Sequence, residues 1–306
     1  MIRVIKKLLL AYCFIVIPLF ITEINMENLG YYNGKFDLIE NMYVPMNDRA
    51  CFFGDGIYEA AYTKNHIVYA LDEHIDRLFE GASVLDINIP HTKTELYDII
   101  CELVKKVDAD EQLVYFQVSR GTQMRNHTPD TDLVGNLWIT IRPQKMRDSY
   151  SPMTLMTLED TRHLYCNIKT LNLMSAVLAS KKALEAGVDE AVLHRGNYVT
   201  ECTHSNIFII TENNELKTAP VSNMILPGVS RAHLINAARI LNIPVVESAF
   251  TIDEMFSAKE IIVTASGALA RPVSAIDGKT VGGKAKELLD ALRDFVINEF
   301  LSKTQA

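Results

Sequence analysis

The sequence predicts an α+β protein, built as two α/β lobes with a cleft between them. Three observations predict it. From Met26 onward, strand-like runs interleave with stretches of helical period. A polar, proline-terminated stretch at 144–152, "QKMRDSYSP", divides these runs into two sets of domain size. The chain has 306 residues, 48% apolar and 22% charged, enough material for a core in each lobe. The expected lobes are a smaller one over 26–143 and a larger, ligand-holding one over 153–306, with 144–152 as the linker.

The elements follow in order. "GYYNGKFDLI" predicts a hairpin, because Asn33-Gly34 favours a tight type I′ turn. "GIYEAAYTKNHIVYAL" predicts a second hairpin, turning at Lys64-Asn65. "DEHIDRLFEGASVLDI" predicts a helix with Asp72 as N-cap and Ile75, Leu78, Phe79 and Ala82 on one face. "KTELYDIICELVKKV" gives a second amphipathic helix, and "QLVYFQVSRGT" and "NLWITIRP" give two strands around a polar loop. Beyond the linker come the strand "MTLMTL", a strand-like "LYCNI", and a helix with Leu173, Val177, Leu178, Ala183 and Leu184 on its apolar face, closed by Gly187. A hairpin "EAVLHRGNYVTE" turns at Gly196-Asn197. Then follow "NIFIIT", a turn at "ENN", a helix "GVSRAHLINAARIL", a strand "EIIVTAS" and a C-terminal helix ending near Phe300.

Composition excludes several functions. With 30 basic and 38 acidic residues the net charge is −8, and no basic run marks a nucleic-acid surface. Cys13, Cys51, Cys101, Cys166 and Cys202 are scattered and lack ligand spacing, which argues against a metal site or a disulfide framework and for the cytoplasm. The exception is 1–25, where two lysines precede an apolar run, Leu8 to Ile21, broken by Pro18. That run is short for a membrane span and resembles the core of a signal peptide, yet no small-x-small cleavage site follows. We expect a mis-assigned start or a signal-like leader, no stable membrane partner, and a fold that begins at Met26.

The chemistry-bearing residues start with Lys169, directed into the junction between "LYCNI" and an apolar helix. Lysine is costly to bury. It is either a solvated loop lysine or an amine kept poorly hydrated to act as a nucleophile and form a Schiff base. Glu201 ends the strand "YVTE". A pyridoxal phosphate site needs this pair, an amine for the aldehyde and an acid partner that keeps the pyridine nitrogen protonated. Its phosphate needs amides, hydroxyls and a cation. Gly228, Val229 and Ser230 open a helix, Thr264, Ser266 and Gly267 follow a strand, and Arg77 offers the cation. In "SRGTQMRNH", Arg125 and His127 point to one side of an extended segment and suit a carboxylate.

These residues resemble the fold-type IV pyridoxal-phosphate enzymes, and within them the D-amino acid aminotransferases. The likeness runs from about Tyr32 to the C-terminal helix. It is carried by "FGDGIYE", "EHIDRL", "YFQVSRGT", "RNH", "CNIKTLNLMSAVLA", "EAVLHRGNYVTE", "SNIFII" and "NMILPGVSR". The resemblance implies that Lys169 carries the cofactor and shuttles a proton between Cα and C4′, and that Glu201 faces the pyridine nitrogen. It implies a phosphate cradle of Arg77, Val229, Ser230 and Ser266, with Leu226 packed on the ring. Tyr58, Arg125 and His127 would trap the substrate α-carboxylate, the last two reaching into a neighbouring subunit, so that a homodimer is expected.

The implied reaction exchanges an amino group between D-alanine and 2-oxoglutarate. The alternatives are a branched-chain L-amino acid aminotransferase, an aminodeoxychorismate lyase of the same fold, or a cofactor-binding protein without catalysis. The Arg-x-His loop points to the D-amino acid group. Two departures from that group's pattern stand out. "TASGALARPV" replaces a run rich in Ser and Thr, and "CTHSN" after Glu201 replaces small serines, bringing the bulkier His204 near the cofactor.

Overall fold

Two sheets organise residues 26–305, the part of the chain that the computed structural model describes; the leader over 1–25 lies outside the described residues. The first sheet contains β1 (Leu29–Tyr32), β2 (Lys35–Asp37), β3 (Gly56–Lys64), β4 (Ile67–Val68), β5 (Gln112–Ser119) and β6 (Asn136–Pro143) in the order β2-β1-β6-β5-β3-β4. The short α1 (Arg49–Phe53) precedes β3, while α2 (Leu71–Val84) and α3 (Lys93–Val104) follow β4. Apolar faces of α2 and α3 (Ile75, Leu78, Leu96, Ile100) meet Val114, Phe116, Ile139 and Ile141 of the sheet in one core.

The second sheet is larger. It holds β7 (Met153–Glu159), β8 (Glu190–Arg195), β9 (Tyr198–Cys202), β10 (Asn206–Ile210), β11 (Leu216–Thr218), β12 (Val245–Glu247), β13 (Glu260–Ala265), β14 (Leu269–Ile276) and β15 (Lys279–Thr280). The order is β12-β11-β10-β13-β14-β7-β8-β9, with β15 on β14. Most neighbours are antiparallel, but β7 pairs parallel with both β14 and β8, and β11 with β12. α4 (Met174–Glu185) joins β7 to β8 and α5 (Val229–Ile240) joins β11 to β12, the long crossovers that parallel pairs require. α6 (Ile252–Ser257) and the C-terminal α7 (Lys286–Lys303) complete the lobe, α5 and α7 packing on one face. No helix among the described residues is long and apolar enough to cross a membrane.

Local chemistry accounts for the elements and for four departures from expectation. Asn33 (φ 43°) and Gly34 (φ 91°) make the expected left-handed turn between β1 and β2. The second hairpin turns one residue later than expected, at Asn65 and His66, because Lys64 pairs with Ile67. Ala70, not Asp72, caps α2, with φ 54°, since the chain enters the helix directly from the hairpin; Asp72 and Glu73 instead sit in the first turn, where the dipole favours them. The segment "LYCNI" forms turns rather than a strand. Finally, of the predicted apolar face of α4 only Ala183 is buried. Ala179 and Ala183 pack on β7 and β8, leaving Val177, Leu178 and Leu184 exposed.

The turns of 164–168 position the next residues. Buried Ile168 joins the core of the first sheet. The Tyr58 amide donates to Lys169 O (2.9 Å) and the Leu171 amide to Gly56 O (3.0 Å), so the main chain around Lys169 is bonded to the start of β3. That contact fixes the cleft between the sheets.

Candidate active site

The cleft encloses about 820 Å³ with its open mouth, a size suited to a small ligand. Lys169 lines it and is the only lysine among the described lining residues. Its Nζ lies 4.4 Å from the centre of the Tyr58 ring, a cation–π contact that holds the side chain over the cleft. Tyr58 in turn stacks on Tyr115 with 5.5 Å between ring centres.

Glu201 enters from the end of β9 and is 5% exposed. Arg162 Nη1 donates to Oε1; Asn206 Nδ2 (2.9 Å) and the Leu226 amide (3.1 Å) donate to Oε2. Burial pushes this carboxyl up to about 7, while the Arg162 guanidinium, the Leu226 amide and the Lys169 ammonium pull the other way. A buried acid poised near neutrality can share a proton with an aromatic nitrogen. Arg162 is itself anchored by Asp160 (Nη2–Oδ2, 2.9 Å), which also accepts from Arg195 and Thr200.

The anion cradle assembles across both sheets. α5 opens at Gly228 without a capping side chain, and Gly228, Val229 and Ser230 all line the cleft. Unpaired first-turn amides and the helix dipole favour a phosphate there. A Cβ on Gly228 would stand 2.1 Å from Asn206 Oδ1, so only glycine lets α5 start beside the residue that also holds Glu201. Thr264 is 2% exposed, lines the cleft, and its Oγ1 has no hydrogen-bond partner among the described residues. A bound anion would satisfy this buried hydroxyl, which otherwise costs about 1–3 kcal/mol. Ser266 lines the same wall.

Arg77 reaches in from α2. Its Nε and Nη2 grip Glu59 (2.7 Å each) and Nη1 donates to Pro227 O (2.9 Å), just ahead of α5. Burial alone would raise the Glu59 carboxyl; Arg77 and the His74 hydrogen bond overcome it and hold it at about 2. Burial keeps His74 low and therefore neutral. The fixed Glu59 anion thus aims the guanidinium, whose remaining N–H groups are available to a phosphate. One amine, one acid near 7 and a cationic cradle ending in an orphaned hydroxyl fit pyridoxal phosphate. Leu226, whose amide donates to Glu201, also lines the cleft.

His204 also lines the cleft, but its Nδ1 is bonded to buried Glu190. Two expected residues lie elsewhere. Arg125 and His127 are exposed and sit on Phe53 of α1, each 5.3 Å from the ring centre by guanidinium carbon and imidazole respectively. Neither lines the cleft of its own chain. Sequence reasoning missed Arg162, Glu59 and Asn206, whose partners are 39, 18 and 5 residues away.

Residues 56–276 match the amino-transferase class IV family. A D-alanine aminotransferase of Listeria monocytogenes is 37% identical over 266 residues, covering 85% of this chain and 92% of that protein. Among solved structures, a branched-chain aminotransferase of Thermoproteus uzoniensis with norvaline superposes with a TM-score of 0.83 at 20% identity, covering 90% of this chain and 96% of that one. The branched-chain amino acid aminotransferase of Escherichia coli gives a TM-score of 0.82 at 20% identity, covering 92% and 96%. The fold, the lysine-bearing cleft and the family match lead to one conclusion: the chain belongs to the class IV aminotransferases.

Proposed function

We propose that the chain is a pyridoxal-phosphate-dependent D-amino acid aminotransferase, exchanging an amino group between D-alanine and 2-oxoglutarate to give pyruvate and D-glutamate. The observation that carries this reading is the pairing of Lys169 and Glu201 in the cleft with an Arg125-x-His127 loop. The lobe over 26–143 contributes Tyr58 and Arg77, and the lobe over 153–306 contributes Lys169, Glu201, Leu226, Val229, Ser230 and Ser266. Bound pyridoxal phosphate supplies an aldehyde for the amino group and a ring that accepts electrons as the Cα–H bond breaks. Lys169 Nζ would hold the cofactor until the substrate's amino group displaces it, and the freed amine would then take the proton from substrate Cα. Glu201, oriented by Arg162 and Asn206, holds a proton at the pyridine nitrogen. Arg77, Thr264, Ser266 and the head of α5 hold the phosphate.

The carboxylate trap sets the hand of the substrate. The Cα–H bond must stand over the face where Lys169 lies, so the hand accepted depends on which side grips the carboxylate. Arg125, His127 and Tyr58 offer charge-assisted donors on one side, and an alkyl group bound there would leave the cation unpaired. D-alanine is therefore expected to deplete the visible absorbance of the loaded enzyme at least ~100-fold faster than L-alanine, a ratio of about 3 kcal/mol. Stopped-flow measurement checks it. A faster reaction with L-leucine or L-valine would replace this reading with the branched-chain one.

The trap is supplied by a second copy. Arg125 and His127 stand outside their own cleft, and Tyr165, Met174, Val177 and Leu178 leave an apolar surface exposed around α4, which fits a homodimer. Mixed dimers of Lys169→Ala with Arg125→Leu are then expected to regain one intact site, and activity should appear on co-refolding. Absence of regain would place the trap in its own chain. The four described cysteines are free, as in a reducing, cytoplasmic setting.

A further inference from the structure

The loop 122–134 is largely exposed, yet it carries the two donors on which carboxylate recognition rests in the reading above. Such a loop needs an anchor. Arg49, the first residue of α1, is 3% exposed and reaches into the loop. Its Nη1 donates to Asn126 O (2.7 Å) and to Gln123 Oε1 (3.2 Å), and its Nη2 donates to His127 O (3.1 Å). Among the described residues, these bonds to the Asn126 and His127 carbonyls are the ones that hold 124–129.

The charge is compensated on the other edge of the guanidinium. Arg49 Nε donates to Asp55 Oδ2 (2.7 Å), which also pairs with Arg120 (2.9 Å). The guanidinium carbon lies 4.9 Å from the Phe53 ring, the same ring that receives Arg125 and His127. Phe53 thus meets all three groups, with Arg49 buried and the other two exposed. A rigid planar fork can serve a carboxylate and two carbonyls together; a lysine ammonium cannot span them.

We propose that Arg49 is the positioning residue of the carboxylate trap, fixing the main chain at 126–127 so that Arg125 and His127 are presented in one geometry. It touches neither cofactor nor substrate and acts through the loop. The proposal rests on the trap assigned above, and its test separates the two.

In the full-length holoenzyme, Arg49→Lys is expected to leave cofactor loading, visible spectrum and thermal midpoint near wild type. KM for D-alanine should rise about tenfold while kcat changes less than threefold, because a loose trap weakens binding before it alters the chemistry. The amides of Gln123 and Asp130, which donate to Asn47 O and Gln123 Oε1 at the two ends of the held segment, should exchange with deuterium at least tenfold faster, with the rest of the chain unchanged. In an Arg125→Leu background the same substitution should change KM less than twofold, the non-additivity expected of residues acting through one another. Gln123→Ala removes the acceptor that Arg49 Nη1 shares with the Asp130 amide and leaves the Arg49 bonds to the Asn126 and His127 carbonyls in place. It should move KM and exchange in the same direction by two- to threefold, and it carries the test if Arg49→Lys fails to fold.

An unchanged KM or unchanged exchange in both variants, with Arg125→Leu raising KM as expected, would overturn the positioning role and leave the trap standing. An Arg125→Leu enzyme with normal KM and normal preference for D-alanine would overturn the trap, and the role of Arg49 with it.

Discussion

Lys169→Ala is expected to abolish turnover, by at least about 10⁴-fold, while the protein still folds and still takes up pyridoxal phosphate. Two losses combine. The amine that anchors the cofactor disappears, and so does the base that moves the Cα proton, a role worth about 10²–10⁴-fold by itself. Folding should survive because the Lys169 side chain is only half-buried, at the edge of the cleft and outside the hydrophobic cores. Its main chain makes the hydrogen bond to β3 through the Tyr58 amide, and that bond survives loss of the side chain. Cofactor uptake should survive because, in the proposed site, Arg77, Thr264, Ser266 and the head of α5 would hold the phosphate independently of the amine; all of them line the cleft. The check is twofold. Borohydride reduction of the wild-type holoenzyme followed by peptide mass spectrometry should place the label on Lys169, and the variant should show no visible band and no D-alanine half-reaction. A label on any other lysine would refute the assignment.

The parts of this site that are legible in the sequence are those whose chemistry is encoded locally. Lys169 stands between buried Ile168 and Thr170 in a conspicuous stretch, Glu201 ends a strand, and Val229 and Ser230 open a helix. Each can be placed by spacing, and the resemblance then joins them. The illegible parts draw their meaning from tertiary contact. Arg162 is an ordinary arginine in "DTRHL" until the fold brings it to Glu201, and Glu59 is a strand glutamate until Arg77 and His74 close on it. Thr264 could be seen as a hydroxyl near the cradle, but only packing shows that its oxygen is buried without a partner.

The fold shows the same division. Hairpins with Asn33-Gly34 and Gly196-Asn197 are specified by the turn itself, so they lie where the sequence places them. β14 is missed because Arg271 and Pro272 interrupt its apolar run, and it becomes a strand by pairing with β13 and β7. The stripe on α4 shows the limit of periodicity. Apolar spacing alone does not say which residues meet the sheet: here Ala179 and Ala183 are buried while Val177 and Leu178 stay exposed.

Glu201→Gln is expected to slow Cα–H cleavage by about 10²–10³-fold, or about 3–4 kcal/mol, with a smaller loss of stability. Both Glu201 oxygens are acceptors in the native site, one facing Arg162 and the other facing Asn206 and the Leu226 amide. A glutamine must turn its NH₂ toward one of these donors, a mismatch that costs about 1–3 kcal/mol of folding free energy. The kinetic loss has a different origin. The carboxyl, held up to about 7 by burial against the pull of Arg162, can share a proton with the pyridine nitrogen, whereas an amide cannot keep that nitrogen protonated. The ring then withdraws electrons poorly as the Cα–H bond breaks. Single-turnover rates with D-alanine and its α-deuterated form separate the two effects: a folding defect lowers the active fraction without changing the rate, whereas the electronic defect lowers the rate and enlarges the isotope effect. Arg162→Met supplies the complementary case, since it leaves Glu201 buried without its cation, should move that carboxyl further upward, and should slow the same step while every hydrogen bond from Asn206 and Leu226 remains. A near-normal single-turnover rate in Glu201→Gln would remove this carboxylate from the mechanism.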